Sequence, residues 1–120
     1  MYGSDWPPQR EIAFTRDLGR CILCGGPVQE GHHRVASKMG GRSADPDRHS
    51  PEKVVSFCRF CHVPVVHKFP TIATYLGYMV PEGVDPSDVP VWYKAEKSWF
   101  YLTAGGTRSY HQQSAPEVQL

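Results

Sequence analysis

No stretch of this 120-residue chain approaches the ~18 consecutive apolar residues of a membrane helix, so a membrane span is not expected. The opening residues, "MYGSDWPPQR", lack a basic stretch followed by an apolar one, so no signal peptide is expected either. A chain retained in the cytoplasm meets a reducing environment. There, its four cysteines read better as metal ligands than as disulfide partners. Net charge is also scarce, at +1, and selects no partner class. Residues 1–69 carry ten Lys or Arg against seven Asp or Glu, and residues 70–120 carry three against five. The weakly basic front half suits a nucleic-acid surface without demanding one. Internal repeats are absent.

The length fits one domain with a modest core. At 40% hydrophobic and 21% charged, the composition is that of an ordinary globular protein. Eleven glycines and eleven prolines predict short elements joined by much loop. Such small, loop-rich chains often need a metal staple. "PPQREIAFTRDLG" reads as a helix, with Pro8 in its first turn and Gly19 ending it. "CILCGGP" reads as a tight knuckle. "VQEGHHRVAS" predicts a short strand interrupted by Gly31, "KMGGRSADPDRHSPE" a loop and "KVVSF" a second strand. A helix is expected from the second cysteine pair to Pro70, then a short helical "TIATYLG" closed by Gly77. The expected organisation is an N-terminal arm over 1–9, a core over 10–83, a β-hairpin extension over 84–110 and a disordered tail over 111–120. The extension begins with the linker "VDPSDVP". Overall this is a small α+β domain.

Cys21 and Cys24 form one Cys-x-x-Cys pair and Cys58 and Cys61 another, with 33 residues between the pairs. A two-residue gap lets both thiolates of a pair face one ion. Two such pairs make the tetrahedral sulfur site that Zn²⁺ favours. The ion would close a long loop, a large structural service in a chain with a small core. Redox pairs or free thiols are the weaker readings, since a redox motif would not come in duplicate. A four-thiolate zinc site is coordinatively closed, so any catalysis must come from elsewhere.

His32 and His33 are adjacent on the first predicted strand, where neighbours point to opposite faces. One is able to bind a metal while the other faces a substrate. His62 directly follows Cys61, so the zinc knuckle fixes it at the start of the helix and positions a second, separate metal site. His67 lies five residues further on. On an ideal α-helix that rotation, about 500°, leaves it about 140° from the face of His62. An irregular turn around Pro64 would change that relation. Surface histidines beside a zinc are the bland alternative.

The pattern Cys-x-x-Cys, "HHRVASKMGGRS", "KVVSFCRFCH" resembles the HNH, or ββα-metal (His-Me finger), endonucleases. It is especially similar to small HNH proteins of actinobacterial phages. His67, Pro70, "ATYLG", "DPSDVPVW" and "WFYL" extend the resemblance over about residues 10–105. It implies a ββα-metal core stapled by a four-cysteine zinc, with an N-terminal helix and a C-terminal hairpin. It also implies metal-dependent hydrolysis of DNA phosphodiesters to 5′-phosphate and 3′-hydroxyl ends. His33 resembles the general base, His32 the first ligand of the catalytic ion and His62 the second. His67 matches a third histidine that relatives usually place four residues on. The chain has no asparagine at all. Lys53 stands where the family has the Asn that braces the loop and orients the base. Lys donates but does not accept, so either another group such as Ser50 or His49 braces the loop or the site is weakened.

Neutral histidine ligands favour Mn²⁺, Co²⁺, Ni²⁺ or Zn²⁺ over Mg²⁺, although Mg²⁺ stays among the candidates for the cell. Arg34, Lys38, Arg42, Arg48 and Arg59 flank the site and are candidate phosphate contacts. Trp92, Tyr93, Trp99, Phe100 and Tyr101 are expected to pack the hairpin onto the core. The implied partner is DNA, with phage terminase or packaging proteins beside it, in a monomer or weak dimer in the host cytoplasm. Two rival readings stand alongside. One is a zinc-stapled module that binds DNA without cutting it, favoured by Lys53. The other is a purely structural zinc protein.

Overall fold

A computed structural model describes residues 6–35 and 47–117, apart from the side chain of His67. Helix α1 (Trp6–Arg16) ends in a turn where Leu18 and Gly19 both adopt positive φ. The Cys21–Gly26 knuckle follows, closed by backbone bonds Cys21 N–Gly26 O of 2.7 Å and Gly25 N–Cys21 O of 2.9 Å. Strand β1 (Glu30–His33) pairs antiparallel with β2 (Val54–Phe57), with Gly31 opposite Ser56, His32 opposite Val55 and His33 opposite Val54. Helix α2 (Arg59–Val63) starts directly after Cys58 and runs into a π turn over Pro64–Lys68, followed by α3 (Pro70–Tyr75). The chain closes with an antiparallel sheet of β3 (Val91–Tyr93), β4 (Ser98–Leu102) and β5 (Arg108–His111). The protein is a small α+β domain.

All four residues of β2 are buried. The reason is that the β1–β2 ribbon is covered on both faces. Trp6, Ala13 and Val54 form a small cluster on the α1 side. On the other side Val55 and Phe57 join the main core with Ile22, Leu76, Tyr78, Trp92 and Trp99. Gly31 matters here: a Cβ at that position would meet the Trp6 ring at 3.0 Å, so the missing side chain lets the indole lie on the strand. Gly77 ends α3 with φ +85, and a Cβ there would sit 2.1 Å from the Pro90 carbonyl oxygen.

Two buried arginines tie these elements together. Arg16 donates to the carbonyls of Pro51 (2.7 Å) and Val54 (2.6 Å) and forms a two-pronged pair with Asp17. Asp17 in turn accepts from the Ser56 hydroxyl at 2.8 Å and from the Tyr93 hydroxyl. Helix α1 is thereby fastened to both sheets. Arg34 donates to four carbonyls: Gly77 (2.8 Å), Glu52 (2.5 Å), Pro86 (3.1 Å) and Val89 (2.9 Å). Burial lowers its pKa to about 10, which leaves it charged at neutral pH.

Three expectations are corrected. Residues 6–9 are not an arm: α1 begins at Trp6, which is buried beneath the β1–β2 ribbon. The hairpin gains a third strand, and the segment beyond it stays attached, because Trp99 Nε1 donates to the Ser114 carbonyl at 3.0 Å. The alternating "RSYH" carried too weak a strand signal to separate it from a frayed end. Finally, "VDPSDVP" is not a free linker, since Pro86 is buried and accepts from Arg34. Among the described residues no helix is long and apolar enough to cross a membrane.

Candidate metal centres

The two knuckles bring Cys21, Cys24, Cys58 and Cys61 together, with all four sulfurs within 4.8 Å of one another. Cys24 Sγ and Cys58 Sγ lie 3.7 Å apart. Zn–S bonds of ~2.3 Å at tetrahedral angles require an edge of about 3.8 Å, so the sulfurs are spaced for a zinc ion. Among the described residues this is the one group of three or more such ligands. The Gly26 amide points at Cys24 Sγ at 3.4 Å, as the knuckle spacing leads one to expect. Burial raises the thiols of Cys21 and Cys61 above the ordinary cysteine range. Cys58 is also desolvated, but hydrogen bonds from the Cys61 backbone and its sulfur neighbours outweigh that and lower it. Metal binding at such a cluster requires thiolates, so a cation would displace the protons that burial holds on Cys21 and Cys61.

The second centre grows from the alternation of β1. Glu30 and His32 face α2, whereas Gly31 and His33 face α1. His32 is 8% exposed. Its Nε2 lies 2.7 Å from the Tyr78 carbonyl, which only accepts, so Nε2 carries the proton of the neutral ring. Burial, reinforced by the neighbouring His62, pushes its pKa down to about 3. The bare Nδ1 of a neutral His32 then points at His62 Nε2, 3.1 Å away. On the far side of that ring, His62 Nδ1 donates to Glu30 Oε1 at 2.8 Å. This hydrogen bond holds the Glu30 carboxyl below the usual carboxylate range, with help from Arg59. Two nitrogens on one ion at ~2.1 Å stand about 3.0–3.4 Å apart for angles between octahedral and tetrahedral. The imidazole pair meets that requirement, and Glu30 supplies the outer carboxylate that orients a ligating histidine.

His33 occupies the opposite face. Its Nε2 lies 2.9 Å from Nδ1 of His49, and Trp6 stacks on it with ring centres 4.6 Å apart.

The sequence-derived residues thus fall into groups. His32 and His62 come together, and His33 sits on the neighbouring face of the same strand. Position 67 lies within the π turn, but the His67 side chain is outside the description, as are Lys38 and Arg42. Arg59 is exposed and reaches Glu30 at 3.4 Å. Arg34 corrects an expectation: it is 1% exposed with its donors spent on carbonyls, so it is a clamp within the fold and not a phosphate contact. Lys53 enters the site through its backbone, accepting from the Arg34 amide at 2.7 Å. Glu30 was missed, although its place two residues before His32 on a strand was signal enough. The Tyr78 carbonyl was missed because a backbone acceptor far along the chain leaves no trace in sequence. Compared with family models, curated proteins and solved structures, the chain matches none of them.

Proposed function

We propose that this chain is a metal-dependent DNA endonuclease of the HNH, or ββα-metal, type. The observation that carries the reading is the approach of His32 Nδ1 to His62 Nε2 at 3.1 Å, beside a second strand histidine on the opposite face. Further support comes from the order β1, β2, α2 and from the cysteine cluster at the joint between α2 and the knuckle. His32 and His62 would hold the catalytic divalent ion. His67 is proposed as a third ligand. The π turn takes up one residue more than an α-helical turn, which compensates for the spacing of five in place of four.

In this reading His33 takes a proton from a water molecule as the water oxygen bonds to phosphorus. The bond from phosphorus to the 3′-oxygen breaks, and the released alkoxide takes a proton from solvent. A divalent ion held by His32 and His62 would supply charge neutralisation to the reacting phosphodiester. Glu30 keeps His62 turned toward His32. Arg59, exposed on the rim, is available to a DNA phosphate. The motif resemblance to small phage HNH proteins extends the proposal to a packaging role beside a terminase.

The test is nicking of supercoiled plasmid by zinc-loaded protein with Mg²⁺, Mn²⁺ or Ni²⁺. Metal-dependent nicking that disappears in His33→Ala is the expected result. Lys53 in place of the family Asn favours a second reading, a DNA-binding module that does not cut. A gel shift without nicking under every metal would select it.

A further inference from the structure

We propose that His49 is a positioning residue for His33, filling the place of the asparagine brace that this chain does not possess. The inference rests on the nuclease reading for its consequence but on geometry for its substance. His49 is 0% exposed, and its Nδ1 lies 2.9 Å from His33 Nε2. A hydrogen bond between two imidazoles needs one proton, so the pair has two possible arrangements. If His49 Nδ1 accepts, His33 carries its proton on Nε2, and Nδ1 becomes the nitrogen that takes the proton of water. If His49 Nδ1 donates, a neutral His33 carries its own proton on Nδ1 and is useless as a base there. The proposal takes the first arrangement, in which His49 Nδ1 accepts and so fixes the tautomer of His33 as well as its ring orientation, the part a third group plays behind a catalytic base.

The surroundings hold His49 still. Trp6 covers both rings, with centres 4.6 Å from His33 and 4.8 Å from His49. His49 lies inside one tight turn and just before another, with Ser50 N bonded to Asp47 O and Lys53 N to Ser50 O, both at 2.9 Å. Arg16 pins that turn at the Pro51 carbonyl (2.7 Å) and Arg34 pins it at the Glu52 carbonyl (2.5 Å). The two buried arginines thus act on the base through the placement of His49, the kind of supporting shell a reactive side chain needs.

The test compares wild type, His49→Asn and His49→Leu, all zinc-loaded. Asn places an amide oxygen near the position of Nδ1, and Leu removes the acceptor. The first readout is the His33 tautomer by ¹⁵N NMR of imidazole-labelled protein above pH 8. Wild type and His49→Asn are expected to hold the proton on Nε2, and His49→Leu to show a mixture. The second readout is plasmid nicking. For His49→Leu, kcat is expected to fall by about 10- to 100-fold with KM nearly unchanged, and His49→Asn is expected to recover most of it. A His33 proton on Nδ1 in wild type would overturn the proposal, as would a His49→Leu protein matching wild type in tautomer and rate. If His49→Leu does not fold, wild type and His49→Asn decide through the tautomer. If no protein nicks, the nuclease reading fails while the tautomer still decides the role of His49.

Discussion

The molecule places a cluster of four cysteines beside a facing pair of histidines, and the two groups are built on opposite principles. The cysteine centre draws two ligands from each of two knuckles, and its four sulfurs enclose one point. The histidine pair draws one imidazole from a strand and one from a helix, and in the proposed reading the two nitrogens would leave most of a coordination sphere to other groups. The first joins parts of the chain 33 residues apart. The second depends on that joint, because α2 is fixed where Cys58 and Cys61 fix it. A closed sphere is suited to hold a fold, and an open one to admit a phosphate and water. In the proposed reading the domain separates the two tasks while letting one position the other.

The separation makes graded predictions. The largest effect belongs to the closed centre: Cys58→Ser, or strong chelation, should remove the zinc and unfold the domain. Structural zinc contributes about 10 kcal/mol or more in small domains. Elemental analysis and a circular-dichroism melt would register both losses together. A folded, zinc-free variant would break the comparison at its root.

Next comes Arg34→Met, expected to cost about 3 kcal/mol or more in denaturant unfolding, because four carbonyls lose a charged donor. Arg59→Ala, on the exposed rim, should leave unfolding nearly unchanged and instead weaken DNA retention with a reduced salt dependence. Equal effects of the two on DNA would contradict the assignment of Arg34 as a clamp.

Smaller again is Glu30→Gln. Loss of the carboxylate behind His62 should weaken binding of the second cation by about 10-fold while the zinc content stays intact. Calorimetry on the zinc-loaded protein would measure it.

The mildest effect near neutrality concerns pH. Burial pushes His32 down to about 3 in the folded chain, against about 6.5 for a solvated imidazole. Below about 6.5 the unfolded chain takes up a proton that the folded one refuses, so stability falls as pH drops from 6.5 toward 3. Above 6.5 His32 adds no slope. Unfolding of His32→Leu followed across that window should show a flatter acid limb than wild type.

How far the sequence could be read follows the same division. The gathering of the four cysteines was legible, because spacing within each knuckle is local and a tetrahedral site tolerates few arrangements. The faces of His32 and His33 were legible too, because strand alternation needs no tertiary information. Glu30 obeys the same alternation and could have been found by it. What escaped was whatever depends on distant chain. The Tyr78 carbonyl sets the His32 tautomer across 46 residues. Arg34 looked like one more basic residue in a basic front half, yet its acceptors come from three later segments. The π turn was not derivable from an α-helical rotation, although Pro64 had marked the place where regularity would fail. Strand β5 and the docking of Ser114 on Trp99 were hidden because their sequence is polar and alternates only weakly.

The most direct test of the account is a calorimetric titration of the zinc-loaded chain with Ni²⁺, wild type beside the double variant His32→Ala, His62→Ala. The account predicts one further ion per wild-type chain and none in the double variant, with one zinc retained in each. Absence of that second ion in wild type, or its survival without the two imidazoles, would contradict it.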